Sequence, residues 1–191
     1  MYLPQNSQEF IKQCRRRKIL TDTHIAGHSR WHLTQKLDVE LLAAEFTDEF
    51  EAYCQLLADL IVQEFQPKPG SITFHRLVGI GDGGSLMLAL VWQRLYHYYR
   101  WQWLHIGCIQ NGELNFTPEE YEYWIVIDDV FTTGSSVEEF RENRIRIVGF
   151  VSLFRWETGH DRVPEIKKVS LFSGSQTIYP ANICPVCNAE K

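Results

Sequence analysis

Two adjacent carboxylates, Asp128 and Asp129, stand at the end of the apolar run Trp124-Ile-Val-Ile127. Two hydrophobic residues later comes a small, hydroxyl-rich stretch, Thr132-Thr133-Gly134-Ser135-Ser136. A buried strand that delivers two acids and then such a turn has the parts of a sugar-phosphate site. The acids suit ribose hydroxyls or a hydrated metal ion. The turn suits a phosphate, because N–H groups at a helix start are unpaired and carry partial positive charge. Gly134 lets the backbone approach closely. A second glycine-rich segment, Gly79-Ile-Gly-Asp-Gly-Gly84, precedes this one. Alone it is a weak signal, since such turns are common between strands and helices.

These segments need elements to hold them. Ser7 can cap a first helix that runs to about Lys18. Residues 21–37 show no helical period and read as short strands and loops. Leu41, Leu42, Phe46, Phe50, Tyr53, Leu57, Leu60 and Ile61 recur at three- and four-residue steps, which predicts a helix over 38–65, broken near Thr47. Pro67, Pro69 and Gly70 end it. Strands are expected at 72–80, 101–108, 123–128, 145–154 and 168–172, with helices from about Ser85 to Tyr99 and around 135–142. Residues 109–120 read as a loop. Strand, helix and strand in alternation give an α/β fold with a right-handed, parallel sheet. Ligands of such sheets lie at the carboxyl ends of the strands, where both glycine segments fall.

The bulk properties narrow the class. A chain of 191 residues fits one domain: an N-terminal helix and hood segment (1–37), an α/β core (38–175) and a tail (176–191). Apolar residues make up 45%, enough for a full core. A net charge of -5 argues against a general nucleic-acid partner, and the run Arg15-Arg16-Arg17-Lys18 reads as a solvated helix end. No signal pattern or membrane-length apolar run is present, so the expected setting is the cytoplasm. Five cysteines without an export signal argue against a disulfide framework.

The run Ile125-Val-Ile-Asp-Asp-Val-Phe-Thr-Thr-Gly-Ser-Ser136 closely resembles the phosphoribosyl-diphosphate (PRPP) signature of type I phosphoribosyltransferases. Gly79 to Gly84 is similar to that family's pyrophosphate loop. Within the family, the chain looks most like orotate phosphoribosyltransferases. His24-Ile-Ala-Gly-His-Ser-Arg-Trp-His32 resembles their hood segment, and Ile183-Cys-Pro-Val-Cys-Asn188 resembles a tail found in some members.

The resemblance implies a Rossmann-like core with a small N-terminal hood, and transfer of phosphoribose from PRPP to a nucleobase with release of pyrophosphate. It implies Mg2+, held mainly by PRPP and water with Asp128 as the candidate protein ligand, and a homodimer. Asp128 and Asp129 would be catalytic and bind the ribose. Thr132, Thr133, Gly134, Ser135 and Ser136 would bind the 5-phosphate. Gly81, Asp82, Gly83 and Gly84 would bind pyrophosphate. Two departures stand out. The segment 109–122, where orotate enzymes usually carry Arg and Lys, has neither and holds Glu113, Glu119, Glu120 and Glu122. Gly83 stands where a lysine is often found. The cation-poor segment favours a second reading, a protein that senses PRPP or a nucleotide on the same fold.

Other groups carry weaker signals. Cys184 and Cys187 form one Cys-x-x-Cys, and structural zinc needs four ligands, so an ordinary tail is expected and a shared zinc site is the alternative. His24, His28 and His32 step by four, but Gly27 and the missing helical period argue against a helical metal face. His28 is expected to contact substrate, and His24 and His32 to have no special role. Cys14, Cys54 and Cys108 read as core residues. Trp92, Tyr96, Tyr98, Tyr99, Trp101 and Trp103 read as core and subunit contact rather than a stacking platform.

Overall fold

The computed structural model describes residues 3–26, 31–65, 75–99, 105–110, 113–118, 123–137 and 146–189. Helix α1 (Ser7–Arg16) is followed by strands β1 (Leu20–Ala26) and β2 (Trp31–Leu37), then helices α2 (Val39–Glu45) and α3 (Thr47–Phe65). The core continues with β3 (His75–Ile80), α4 (Gly81–Tyr99), β4 (His105–Gln110), β5 (Glu113–Leu114), β6 (Tyr123–Phe131), β7 (Arg146–Glu157) and β8 (Lys167–Ser175). The chain closes with β9 (Ile178–Pro180), a 3-10 turn (Ala181–Ile183) and α5 (Pro185–Ala189).

The large sheet has the order β5-β4-β3-β6-β7-β8. Its strands are parallel except β5, which pairs antiparallel with β4. Central β6 is buried on both faces, which its unbroken apolar run requires. On one face Ile125 and Ile127 pack with Phe10, Leu57, Ile61 and Met87 from α1, α3 and α4. On the other, Trp124 and Val126 pack with Phe131, Phe150 and Val163. From β3 the chain passes through α4 to β4 on one side, whereas β6 is followed by β7 on the other. The direction of winding therefore changes between β3 and β6, and the crevice of an open α/β sheet lies at that point.

A second, antiparallel sheet, β1-β2-β9, joins the N-terminal hairpin to the tail. The expected hood is thus a three-stranded sheet completed by residues from the far end of the chain. No helix among the described residues is long and apolar enough to cross a membrane.

Several expectations are corrected. Asn6, not Ser7, caps α1 by accepting the Glu9 N–H at 3.0 Å. The Ser7 hydroxyl instead accepts the Ser173 N–H at 2.9 Å and ties the helix to β8. Arg17, in the basic run, is committed to structure: it grips Glu49 at 2.6 and 2.9 Å and lies over the Phe46 ring. Its guanidinium is driven still further toward the charged form, chiefly by the hydrogen bond to Glu49. α4 begins at Gly81, four residues before the expected Ser85, and β6 runs three residues past Asp128. Part of the expected 109–120 loop is strand β5. The predicted break near Thr47 is present, with Asp38 capping α2. Cys14 and Cys54 are core residues, and burial pushes both thiols up to about 12. Cys108 is half-buried, and no disulfide is formed. The α4 aromatics turn partly outward, with Trp92 stacked on Tyr96 and Tyr98 exposed. Trp101 and Trp103 lie outside the described residues.

Candidate functional site

Strands β3 and β6 run side by side in register, Gly79 opposite Ile127, so both release the chain at the same edge of the sheet. At the end of β3 no loop intervenes. Gly81 takes a φ of +63, open to glycine, and turns the chain directly into α4. The first turn of that helix then presses against β6. A Cβ on Gly84 would lie 2.5 Å from the Ile127 carbonyl oxygen, and one on Gly79 would lie 2.8 Å from the Gly84 oxygen. Gly81 to Gly84, expected to be a loop, are therefore the N-terminal turn of a helix packed on the strand that carries the acids. Asp82 is exposed in that first turn.

Asp128 and Asp129 connect the two turns. The Asp129 carboxylate fills the space beside Gly83: a Cβ there would meet its Oδ2 at 2.4 Å. A residue with any side chain at 83 would have to displace Asp129. Asp129 thus lies at the positive end of α4. Asp128 borders the turn that follows β6. Each carboxylate is fixed by a backbone N–H: Asp128 Oδ1 accepts from Asp129 at 2.9 Å, and Asp129 Oδ1 from Val130 at 2.7 Å. Burial holds the Asp128 carboxyl well above the usual carboxylate range; the charge and the side chain of Asp129 raise it further, and the Asp129 backbone N–H pulls it back only in part. Two acids held this close, and partly dried, favour a shared cation or proton.

The turn after β6 holds Thr132, Thr133 and Gly134, and Ser135 opens a helical turn at residues 135–137. Gly134 has a φ of +79, and its carbonyl accepts the Val137 N–H at 3.2 Å. Thr133 is buried, its hydroxyl 3.3 Å from the Ser135 hydroxyl, and its carbonyl accepts the Arg162 N–H at 2.9 Å. A cavity of about 160 Å³ lies here, lined by residues 132–136 with Asp128, Val130, Phe131, Phe150 and, from the hood, Trp31 and Leu33. Trp31 is steadied by His160, ring to ring at 4.4 Å. All the residues expected to hold a ribose 5-phosphate thus line one cavity. The expected pyrophosphate residues lie at the adjacent helix start.

Two features escaped the sequence reading. Arg155, near the carboxyl end of β7, places its guanidinium 5.9 Å from the Phe131 ring that lines the cavity, and its buried Nε lacks a protein partner. An arginine on a strand gives no motif, and only an unexplained charge within an apolar run marked it. The other is the state of the cation-poor segment. Its described part, 113–118, is pinned to the sheet: Asn115 bonds Cys108 twice, and the Phe116 ring lies between Arg76 and Trp124. A Cβ on Gly107 would strike that ring at 2.2 Å.

His24 and His32, for which no special role was expected, converge with Cys184 and Cys187 on the hood. His28 lies outside the described residues.

No protein-family model and no curated protein sequence matches the chain. Solved structures do. An orotate phosphoribosyltransferase of Francisella tularensis superposes with a TM-score of 0.61 at 16% identity, over 90% of this chain and 85% of that one. UMP synthase of Leishmania donovani gives 0.64 at 11% identity over 87% of this chain, which spans 36% of that longer protein. An orotate phosphoribosyltransferase of Mycobacterium tuberculosis H37Rv, solved with inorganic phosphate, gives 0.54 at 14% identity over 86% of this chain and 94% of that one. The mainly parallel sheet, the two turns at its switch point and these superpositions agree: the architecture of this chain is that of the type I phosphoribosyltransferases.

Proposed function

We propose that the chain is a phosphoribosyltransferase that binds PRPP with Mg2+ and transfers phosphoribose to a nucleobase. The observation that carries this reading is the Asp128–Asp129 pair spanning two helix-start turns at the switch point of the sheet. In this reading residues 132–136 hold the 5-phosphate through backbone N–H groups and hydroxyls. The N-terminal turn of α4, Gly81 to Gly84, faces the pyrophosphate. The two carboxylates take the ribose 2- and 3-hydroxyls. In the reaction the bond from C1 to the pyrophosphate oxygen breaks and one from C1 to a base nitrogen forms, while the base nitrogen loses its proton. Positive charge develops on the ribose, and the paired carboxylates stabilise it.

The acids also fit Mg2+, a hard cation that takes oxygen ligands and keeps several waters. Their forced proximity is relieved by a cation. Asp128 and Asp129 would hold it together with PRPP, and the ion would supply charge neutralisation of the leaving pyrophosphate. A dimer in the cytoplasm, with an orotate-like or salvage base as acceptor, completes the reading.

A second reading has its own support. The segment 113–118 carries Glu113, lacks cations and is anchored through Phe116, so it offers no mobile Arg or Lys to the pyrophosphate. On this reading the same site senses PRPP without turning it over.

One experiment separates the two. PRPP binding is measured by calorimetry with Mg2+, and pyrophosphate release is then followed with a panel of bases. Binding with release supports the transferase; binding with no release from any base selects the sensor; absence of binding removes both. Thr133→Val, which keeps shape and removes one hydroxyl, is expected to weaken PRPP binding about fivefold, the worth of one neutral hydrogen bond. Arg155→Met should weaken it as well, with a flatter salt dependence of the measured affinity. Unchanged binding and salt response would place Arg155 outside the site.

A further inference from the structure

The hood carries a second chemical centre. His24 on β1 and His32 on β2 lie diagonally across the hairpin, where Ala26 pairs with His32. Strand β9 pairs with β2, His32 opposite Tyr179, and so delivers the tail to the same face. The 3-10 turn then places Cys184, and α5 places Cys187 three residues on. The four ligand atoms all lie within 4.8 Å of one another. His24 Nε2 is 2.9 Å from His32 Nδ1, 3.2 Å from Cys184 Sγ and 3.6 Å from Cys187 Sγ, and Cys187 Sγ is 3.3 Å from His32 Nδ1.

Hydrogen bonding cannot account for this. A ring nitrogen carries either one N–H or one in-plane lone pair, so it can serve one partner well. His24 Nε2 faces three. Lone pairs converging on a common point are what a metal ion organises. A tetrahedral zinc with bonds of about 2.0–2.1 Å to nitrogen and 2.3 Å to sulfur separates its ligands by roughly 3.4 Å (N to N), 3.6 Å (N to S) and 3.8 Å (S to S). The observed N–N spacing of 2.9 Å and N–S spacings of 3.2, 3.3 and 3.6 Å lie at or slightly below these values, and no pair exceeds 4.8 Å. Two thiolates with two imidazoles, tetrahedral, select zinc among common cations. Cys184 and His32 are buried, so the centre is closed to solvent on that side, as a structural site is.

We propose that His24, His32, Cys184 and Cys187 bind one structural zinc ion that fastens the C-terminal tail to the hood. The tail needs such a fastening. β9 contributes three paired residues, and α5 has five residues, too short to be stable on its own. Side chains alternate along a strand, so His32 turns to the metal while its neighbours Trp31 and Leu33 turn to the opposite face. That face borders the cavity above residues 132–136. The ion would therefore brace, from behind, the strand that forms one wall of the cavity.

The test uses the full chain, purified with its thiols reduced. Zinc content is measured by elemental analysis, and Co2+ is substituted as a spectroscopic probe. The expected result is one zinc per chain and a cobalt spectrum with tetrahedral ligand-field bands and thiolate charge transfer. Cys187→Ser, at a half-exposed position, should lower metal affinity by more than the roughly 10- to 100-fold typical of changes outside the ligand shell. Cys108→Ser, away from the cluster, should leave metal content unchanged. A strong chelator should lower the melting temperature of the wild type and not that of Cys187→Ser. Failure of the reduced wild type to take up either metal would overturn the proposal, whether or not the variant folds. So would zinc retained at full affinity in Cys187→Ser, or a cobalt spectrum without thiolate charge transfer.

Discussion

Gly134→Ala is expected to destabilise the protein by about 2–5 kcal/mol and to abolish measurable PRPP binding. Two costs combine. A φ of +79 strains any residue with a Cβ, by roughly 1–2 kcal/mol. The added Cβ would also lie 2.5 Å from Val163 Cγ2 and 3.3 Å from the Phe131 ring. Both neighbours are buried, and Val163 is β-branched and stiff, so neither yields cheaply. Overpacking of this kind adds roughly 1–3 kcal/mol. For a chain of this size each kcal/mol lowers the melting temperature by about 2–4 °C. Gly159→Ala separates the two costs, since Gly159 has a φ of +74 and nothing near its Cβ position. It should show the strain alone. The double variant Gly134→Ala/Val163→Ala should recover part of the affinity, because the clash and the loop distortion share one partner. A loss no greater than that of Gly159→Ala, with binding intact, would show that the turn relaxes and does not hold the phosphate.

Asp128→Asn is expected to make the protein more stable and less able to bind. Burial and the charge of Asp129 hold the Asp128 carboxyl above its usual range, so the native state keeps this proton more firmly than the unfolded chain. The corresponding stability is fully present below the unfolded carboxylate pKa, about 3.9, and is lost as pH rises through the native value. At neutral pH the folded protein bears the cost of a half-buried anion beside another. An amide of the same shape still accepts the Asp129 N–H but carries no charge. The melting temperature of Asp128→Asn without ligand should therefore exceed the wild type's at pH 7 to 8. The difference should shrink toward pH 4. Affinity for PRPP with Mg2+ should fall by about 10- to 100-fold, the range for a hydrogen bond to a charged group. Thermal scans across pH, paired with calorimetry, check both halves. A stability advantage over the wild type no larger at pH 8 than at pH 4 would contradict the strained pair, and undiminished binding would remove Asp128 from the site.

This opposition of stability and function is common where acids are held together for a ligand. The same acids were legible in the sequence because their chemistry is local. An apolar run, two carboxylates and a small-residue turn occupy thirteen consecutive residues, and each step follows from the one before. The helix start at Gly81 was not legible. Four small residues with three glycines read as loop by propensity, and the close packing of Gly83 and Gly84 on β6 overrides that reading. Ser7 and Asn6 competed for one cap, and a hydrogen bond from β8, a partner 166 residues away, decided between them.

The amino-acid order by itself determined the parallel α/β core, the two turns at one sheet edge and the acids between them. Periodicity and short motifs are written along the chain, and the physics that reads them acts over a few residues. Tertiary structure alone decided what distant segments make together. It set Asp129 against Gly83, brought Trp31 from the hood to the cavity, and anchored Phe116 in a segment that reads only as a polar loop. It also joined His24 to Cys184 across 160 residues of sequence. Short strands within 21–37 and the Cys-x-x-Cys were each visible, but pairing of β9 with β2 depends on which edge the tail reaches. That is settled by the packing of the whole core.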